Sequence, residues 1–119
     1  MTIHHVVSLW LERSAPDALR DLADAAGNLR QIPGVISADF ARNTQGHGGA
    51  ADGGLFVVFE SQQAVDRYMP HPLHKRMIAT VQRHARRVEP VFMQSLQPEN
   101  DQGSAETIDE VRRSSARRL

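Results

Sequence analysis

Residues 66–74 read DRYMPHPLH and bring together one phenol and two imidazoles, those of Tyr68, His71 and His74. Pro72 has a fixed φ and no N–H, so it suits the first turn of a helix. His71 immediately precedes that turn and is therefore the predicted N-cap. The stretch predicts a proline-stiffened turn that opens a long helix and carries several titratable rings.

The segment after this turn has the apolar spacing of an amphipathic helix. Its apolar residues are Leu73, Met77, Ile78, Val81, Ala85 and Val88. At about 100° per residue they span an arc of roughly 140° that includes His74, whose imidazole is thus predicted to face the core. The basic residues of the segment fall opposite the arc and are expected on a solvated face. They are Lys75, Arg76, Arg83, Arg86 and Arg87.

The N-terminal segment alternates as a strand does. Residues 3–11 place His5 on a uniformly apolar face, and His4 on the other face, where we expect it to meet solvent. Because both faces are largely apolar, this strand is predicted to be central and covered on both sides.

Three further strands are predicted, over residues 35–42, 55–60 and 88–96. The first would carry Ile36, Ala38 and Phe40 on one side. The second reads LFVVFE and is expected to be buried on both faces. Pro90 near the start of the last indicates either an edge strand or a strand end.

Two helices and a loop complete the order of elements. Ser14 is a plausible N-cap for a first helix that Pro33-Gly34 ends, and Ser61 for a short one that ends at Met69-Pro70. The core stripe of the first helix is predicted to be Leu19, Leu22, Ala23, Ala26 and Leu29.

Residues 43–54 hold five glycines in twelve positions and predict a flexible loop. The glycines lack the spacing of a phosphate-cradling motif, and they precede a strand rather than a helix. His47 in this loop is expected to be solvated.

The order β-α-β-β-α-β is typical of the ferredoxin-like α+β arrangement, a four-stranded antiparallel sheet with helices on one face. The other face would remain bare although its strands are apolar. A second copy of the chain is the natural cover, so we expect a homodimer, sheet against sheet.

Composition narrows the function classes. The 119 residues suit one domain, and 14 basic and 14 acidic residues give no electrostatic argument for binding nucleic acid or an acidic membrane. The absence of cysteine excludes disulfides and thiolate chemistry. No apolar run is long enough to span a membrane, and a cytoplasmic location is the default expectation.

Residues 98–119 differ in character, with acids up to Glu110 and arginines from Arg112 onward. A solvated tail is favoured. The alternative is a short helix that docks on the partner subunit, begun by Thr107 with Glu110. Its aliphatic anchors would be Ile108, Val111 and Leu119.

The segments IHHVVSLWL, IPGV and YMPHPLH, in this order, resemble the stress-responsive dimeric α/β-barrel (Dabb) family over roughly residues 1–97. The resemblance implies a ferredoxin-like protomer that pairs into a dimeric α/β barrel. One branch of the family is similar to polyketide cyclases of the olivetolic acid cyclase type, in which a histidine base and a tyrosine hydroxyl drive an intramolecular aldol condensation.

By motif position the resemblance implies that His74 is the catalytic base and Tyr68 the catalytic hydroxyl. His5 and His71 match other pocket histidines and would bind substrate. The chain departs from the pattern at Pro70, at Ser8 and Trp10 in the first strand, in the Gly-rich loop and in the tail. The Gly-rich loop would change the length of a lid over the pocket, and hence the size of the substrate.

These residue types suit proton abstraction next to a carbonyl. Burial favours a neutral imidazole, which accepts a proton, while a phenol donates to the developing oxyanion. We therefore expect a cofactor-free enzyme that cyclises or isomerises a keto or phenolic substrate.

Non-catalytic alternatives remain open, namely structural roles for these rings and a dimeric module that binds a small apolar ligand or acts in a stress response. A haem-using relative is a third class. A histidine metal site is disfavoured because the adjacent His4 and His5 point to opposite sheet faces.

Overall fold

The computed structural model describes residues 1–12 and 17–96, so the predicted Ser14 cap and the 98–119 tail lie outside the described residues. The elements are β1 (Ile3–Leu11), α1 (Ala18–Asn28), a 3₁₀ turn (Leu29–Gln31), β2 (Val35–Arg42), β3 (Gly53–Phe59), α2 (Gln62–Tyr68), α3 (Pro72–His84) and β4 (Ala85–Gln94). The strands pair antiparallel in the order β2-β3-β1-β4, which confirms the ferredoxin-like arrangement and the central position of β1.

The core lies between the helices and one face of the sheet. Alternate residues of β1 and β3 point into it, because successive side chains of a strand face opposite ways. Those in the core cluster are Ile3, Val7, Leu9, Leu55, Val57 and Phe59. His5 shares this face and is buried, whereas His4 on the other face is exposed, as predicted.

The opposite sheet face carries no helix within the described chain. Val6 pairs with Phe56 on one side and with Val91 on the other, so the three side chains form an apolar row. Phe56 is 43% exposed, and the prediction that both faces of β3 are buried is therefore wrong for the single chain. We call this surface, with Val58 and Met93, the outer face.

The burial predicted for α1 and for β2 is wrong at one position in each element. Ala25 is buried in α1, whereas Ala23, which the sequence placed in the stripe, is exposed because it lies about 100° around the helix from buried Leu22. In β2 the pairing register shifts between Val35 and Ser37, and this bulge leaves Ile36 56% exposed.

The end of α3 also differs from prediction. The helix ends at His84 and β4 begins at Ala85, three residues before the predicted start, because Ala85 already pairs with Leu11. The amide of Glu12 donates to the His84 carbonyl at 2.7 Å, and His84 Nε2 donates to Asp21 Oδ2 at 2.9 Å, which fixes the helix end against α1. Of the two interpretations of Pro90, the edge strand is confirmed.

The Gly-rich segment is a loop held by its own hydrogen bonds. The Asn43 amide nitrogen donates to the Ala51 carbonyl at 2.7 Å, and its oxygen accepts from the amide of Gln45 at 2.8 Å. The indole of Trp10 donates to the Gly49 carbonyl at 3.0 Å, which ties the loop to β1. His47 is exposed, as expected.

Gly34→Ala is predicted to destabilise the protein by about 2–4 kcal/mol. Gly34 has φ +90°, and a Cβ there would lie 2.5 Å from the Cβ of Ala64. Gly27 inside α1 is the matched control, since a Cβ there meets nothing within 4 Å. Gly27→Ala should stabilise by about 0.5–1 kcal/mol. Urea unfolding measures both, and equal effects would contradict the packing described here.

Candidate functional site

A cavity of about 390 Å³ lies between α3 and the helix-facing side of β1 and β4. It brings together three of the four predicted site residues, His5, Tyr68 and His74, while most of the remaining wall is apolar. The other lining residues are Val7, Leu55, Met69, Met77, Ile78, Val81, Gln82, Val88, Pro90 and Phe92.

The turn before α3 aims His74 into this cavity. Pro72 opens the helix and His71 caps it, its Nδ1 accepting from the amide of Leu73 at 3.1 Å. His74 is 7% exposed, and its Nδ1 lies 2.9 Å from the carbonyl oxygen of Met69. Because a carbonyl only accepts, Nδ1 carries the proton, and a neutral ring then has its free lone pair on Nε2.

Tyr68, the last residue of α2, is fully buried beside this imidazole. Its ring centroid lies 4.2 Å from that of His74, and it meets Phe59 edge-on at 4.8 Å. Its hydroxyl is buried with no hydrogen-bond partner among the described residues. An unsatisfied buried donor costs about 1–3 kcal/mol. Burial raises the pKa of Tyr68, so the phenol keeps its proton at neutral pH.

His5 supplies a second imidazole from β1. Its Nδ1 donates to the Val91 carbonyl at 3.2 Å, and its ring stacks on Phe92 at 3.9 Å between centroids. Burial lowers the pKa of His5; the bond to Val91 opposes this shift and repulsion from His74 adds to it. The ring is therefore neutral at neutral pH.

His71, the fourth predicted site residue, is the N-cap of α3 and is not among the cavity-lining residues. Sequence reasoning missed the wall that β4 contributes, formed by Val88, Pro90 and Phe92. The signal was present, since these alternate positions pair opposite Leu9, Val7 and His5. Using this signal required the pairing register of β4, whose start was predicted three residues too late.

A larger, open groove of about 810 Å³ lies between the Gly-rich loop and the start of α1. Its ionisable side chains, such as Arg42, His47 and Asp52, are exposed. The smaller cavity is the candidate site because its ionisable side chains are buried, and burial is what adjusts their chemistry. Within residues 1–12 and 17–96, no group of three or more His, Asp or Glu side chains is arranged to hold a metal ion.

The described part of the chain contains no helix with the length and apolar character needed to cross a membrane. A four-stranded antiparallel sheet with helices on one face defines a ferredoxin-like α+β protein. The chain belongs to the Dabb family, since the model of the stress responsive A/B barrel domain matches residues 3–91. No curated protein matches the chain.

Solved structures with the same fold include a dimeric ferredoxin-like protein of unknown function from Thermobifida fusca (18% identity, TM-score 0.71, covering 80% of this chain and 92% of that one). A Dabb family protein from Mesorhizobium loti is 23% identical, with TM-score 0.66 and coverage of 81% and 98%.

A variant of SnoaB, a cofactor-independent oxygenase from Streptomyces nogalater, is 12% identical, with TM-score 0.67 and coverage of 84% and 98%. At these identities the similarity shows the fold alone.

The lowered pKa of His5 predicts a pH-dependent stability. The folded state binds a proton on His5 more weakly than the unfolded state does. The contribution of His5 to the free energy of unfolding is therefore fully present above pH 6.5, and it is lost as the pH falls through the lower pKa of the folded state. His5→Gln should remove up to one proton from this dependence, about 1.4 kcal/mol per pH unit at most. His47→Gln, at an exposed position of the Gly-rich loop, is the control. Identical pH slopes of the unfolding free energy in the two variants would contradict the assignment.

Proposed function

We propose that the protein is a cofactor-free enzyme of the Dabb type that abstracts a proton next to a carbonyl group. The reaction leads to cyclisation or isomerisation of a keto or phenolic substrate. His74 is the base, Tyr68 donates to the substrate oxygen, and His5 helps to bind and orient the substrate. His71 acts through the helix it caps.

The observation that carries this proposal is the unpaired buried hydroxyl of Tyr68, 4.2 Å ring to ring from the fixed imidazole of His74. The Tyr68 hydroxyl is thus a donor without an acceptor, and it lies beside an imidazole whose Nε2 can accept a proton. A substrate carbonyl would supply the missing acceptor, and the carbon next to it would supply the proton.

The proposed steps balance without a co-reactant. His74 Nε2 takes a proton from the carbon next to the carbonyl, and the electron pair moves onto the carbonyl oxygen, which accepts a hydrogen bond from Tyr68. The carbanion carbon then attacks a second carbonyl of the same substrate. The new alkoxide takes the proton back from His74, which restores the neutral ring. The apolar wall keeps water away from the enolate.

His74→Ala is predicted to lower kcat by about 10²–10⁴-fold, the usual contribution of a positioned base. Tyr68→Phe keeps the ring in its packing against Phe59 and should lower kcat by about 10²–10³-fold. Short linear poly-β-ketoacyl thioesters are suitable probes, with formation of the cyclic product followed by chromatography. Oxygen uptake should be recorded in parallel, because one structural relative is described as an oxygenase.

His47→Ala is the control, since His47 is exposed in the Gly-rich loop and does not line the cavity. It should leave turnover unchanged. The catalytic proposal fails if His74→Ala stays folded and turns the probes over at the wild-type rate. It also fails if product forms only with matching oxygen uptake.

A second candidate function is a non-catalytic module that binds a small apolar or phenolic ligand. The mostly apolar wall of the cavity favours it, because such a wall binds by burial alone. The two functions differ in one respect: a binding module retains its affinity and shows no turnover, whether or not His74 is replaced.

We also propose that two copies pair through their outer faces, forming a barrel. The apolar row of Val6, Phe56 and Val91 requires a cover that the described chain does not provide. The Thermobifida fusca relative is described as dimeric. An isologous contact would place each row against its copy.

Phe56→Arg should convert the dimer to a monomer, because it puts a charge into the centre of the proposed interface. Ile78→Arg is the matched control, since Ile78 is 40% exposed against 43% for Phe56 but lies on α3 beside the cavity. Light scattering after gel filtration gives the mass of each variant. A monomeric wild type, or a dimeric Phe56→Arg, would overturn the proposed pairing.

A further inference from the structure

The two imidazoles of the cavity are held in the same tautomer. Nδ1 of His74 lies 2.9 Å from the Met69 carbonyl oxygen, and Nδ1 of His5 lies 3.2 Å from the Val91 carbonyl oxygen. Because a carbonyl oxygen only accepts, each ring carries its proton on Nδ1. In the neutral ring the lone pair is then on Nε2. Each imidazole therefore offers an acceptor, and not a donor, at its Nε2.

These two Nε2 atoms have no hydrogen-bond partner among the described residues. Both rings line the cavity. Within residues 1–12 and 17–96, the Tyr68 hydroxyl is the only side-chain polar atom that is both fully enclosed and unpartnered, so both Nε2 atoms keep some accessible surface. The site thus has two free acceptors and one free donor. A ligand that matches all three groups supplies one acceptor and two donors.

The proposed reaction uses two of these three groups. Tyr68 donates to the substrate carbonyl, and Nε2 of His74 takes the proton from the neighbouring carbon. Nε2 of His5 is left without a partner, although this ring is only 6% exposed. An acceptor that stays unmatched in a bound complex weakens binding, because its hydrogen bond to water is lost and not replaced. The substrate is therefore expected to bring a second donor.

His5 is held as a rigid acceptor. Its ring stacks on Phe92, with centroids 3.9 Å apart and planes 13° apart, while Nδ1 is fixed by the Val91 carbonyl. Burial lowers the pKa of His5, and repulsion from His74 adds to this, so the ring stays neutral and its lone pair stays free at neutral pH. A group that is already fixed loses little conformational entropy when a ligand binds.

The remaining wall offers a substrate hydroxyl no comparable side chain. Apart from the three rings, the lining side chains are apolar except that of Gln82, which is exposed and lies about 12 Å beyond His74 along α3. A hydroxyl held near Tyr68 and His74 therefore finds its acceptor in His5. An ether or carbonyl oxygen in the same place would set its lone pairs against that of Nε2.

We propose that His5 determines substrate specificity, its Nε2 accepting a hydrogen bond from a hydroxyl or enol O–H of the substrate. The substrate class is thereby hydroxylated or enolised ketones, in which a carbonyl faces Tyr68 and a separate O–H faces His5. Simple ketones and O-methylated analogues lack this donor. The inference rests on the proposed function for the roles of Tyr68 and His74, but it concerns binding and not turnover.

Ligand pairs that differ in the O–H test this assignment. The meta and para isomers of hydroxyacetophenone place a hydroxyl at two distances from a carbonyl, and their methyl ethers keep the oxygen but remove the donor. NMR titration gives the dissociation constants for the wild type, for His5→Phe and for the control His47→Phe, since His47 is exposed and does not line the cavity. Phenylalanine at position 5 keeps a ring against Phe92 but has no acceptor.

The ratio of the two dissociation constants is the readout, since the steric effect of the ether methyl is common to all three proteins and cancels between them. For at least one isomer, the wild type and His47→Phe should bind the phenol about tenfold more tightly than its ether. His5→Phe should bind the two about equally. Circular dichroism confirms folding. A wild type without the preference, or a preference that survives in folded His5→Phe, overturns the proposal.

A measurement on the wild type needs no substitution. In protein with isotopically labelled histidine, the Nε2 resonance of His5 should shift markedly more when the cavity is saturated with the preferred phenol than with its ether. Equal shifts overturn the proposal.

The proposed function is followed separately with the same ketones, as exchange of their methyl protons in heavy water. Exchange that His74→Ala abolishes, together with a preference that His5→Phe abolishes, supports both proposals. No exchange in the wild type with the preference intact contradicts the proposed function alone. Exchange in the wild type, with a preference indifferent to His5→Phe, contradicts the role of His5 alone.

Discussion

The candidate site depends on the turn that joins α2 to α3. Three hydrogen bonds close it: the amide of His71 donates to the Tyr68 carbonyl at 3.0 Å, the amide of Leu73 to His71 Nδ1, and His74 Nδ1 to the Met69 carbonyl. All three involve groups at helix ends that would otherwise lack a partner. The same few residues thus end one helix, begin the next and set the direction of two buried rings.

The cavity combines groups whose burial is unfavourable unless something pairs with them. Tyr68 leaves its hydroxyl unsatisfied, and His5 has its pKa lowered by burial. In a structure chosen only for stability, a phenylalanine at each position would avoid these costs. Their presence together in one hollow supports the proposed function, in which a substrate would supply the acceptor that the Tyr68 hydroxyl lacks.

Local features were readable from the sequence because their causes are local. The Pro72 turn, the His71 cap and the inward direction of His74 follow from neighbouring residues and helical angles. The alternation of β1 likewise separates His5 from His4. The start of β4 was not readable, because Ala85 leaves the helix in order to pair with Leu11, which is distant in sequence.

The stacking of Phe92 on His5 and the bulge that exposes Ile36 have the same long-range origin. Both depend on which residue of one strand stands opposite which residue of another. Helical periodicity contains no information about that register, and a shift of one residue would move a side chain to the other face. This is why the sequence analysis did not predict the wall of the candidate cavity that β4 forms.

The alternation of β1 and β4 also gives the single sheet two different surfaces. Val7 and His5 face the cavity while Val6 faces the outer side, and the same division separates Phe92 from Val91. One sheet therefore forms the floor of the candidate cavity on one side and, on the other, the surface through which we propose that two copies pair. A substitution on one face changes the other only through the shared backbone. The side chains of the two faces can thus vary independently within this fold, and the fold itself is kept by solved structures only 12–23% identical to this chain.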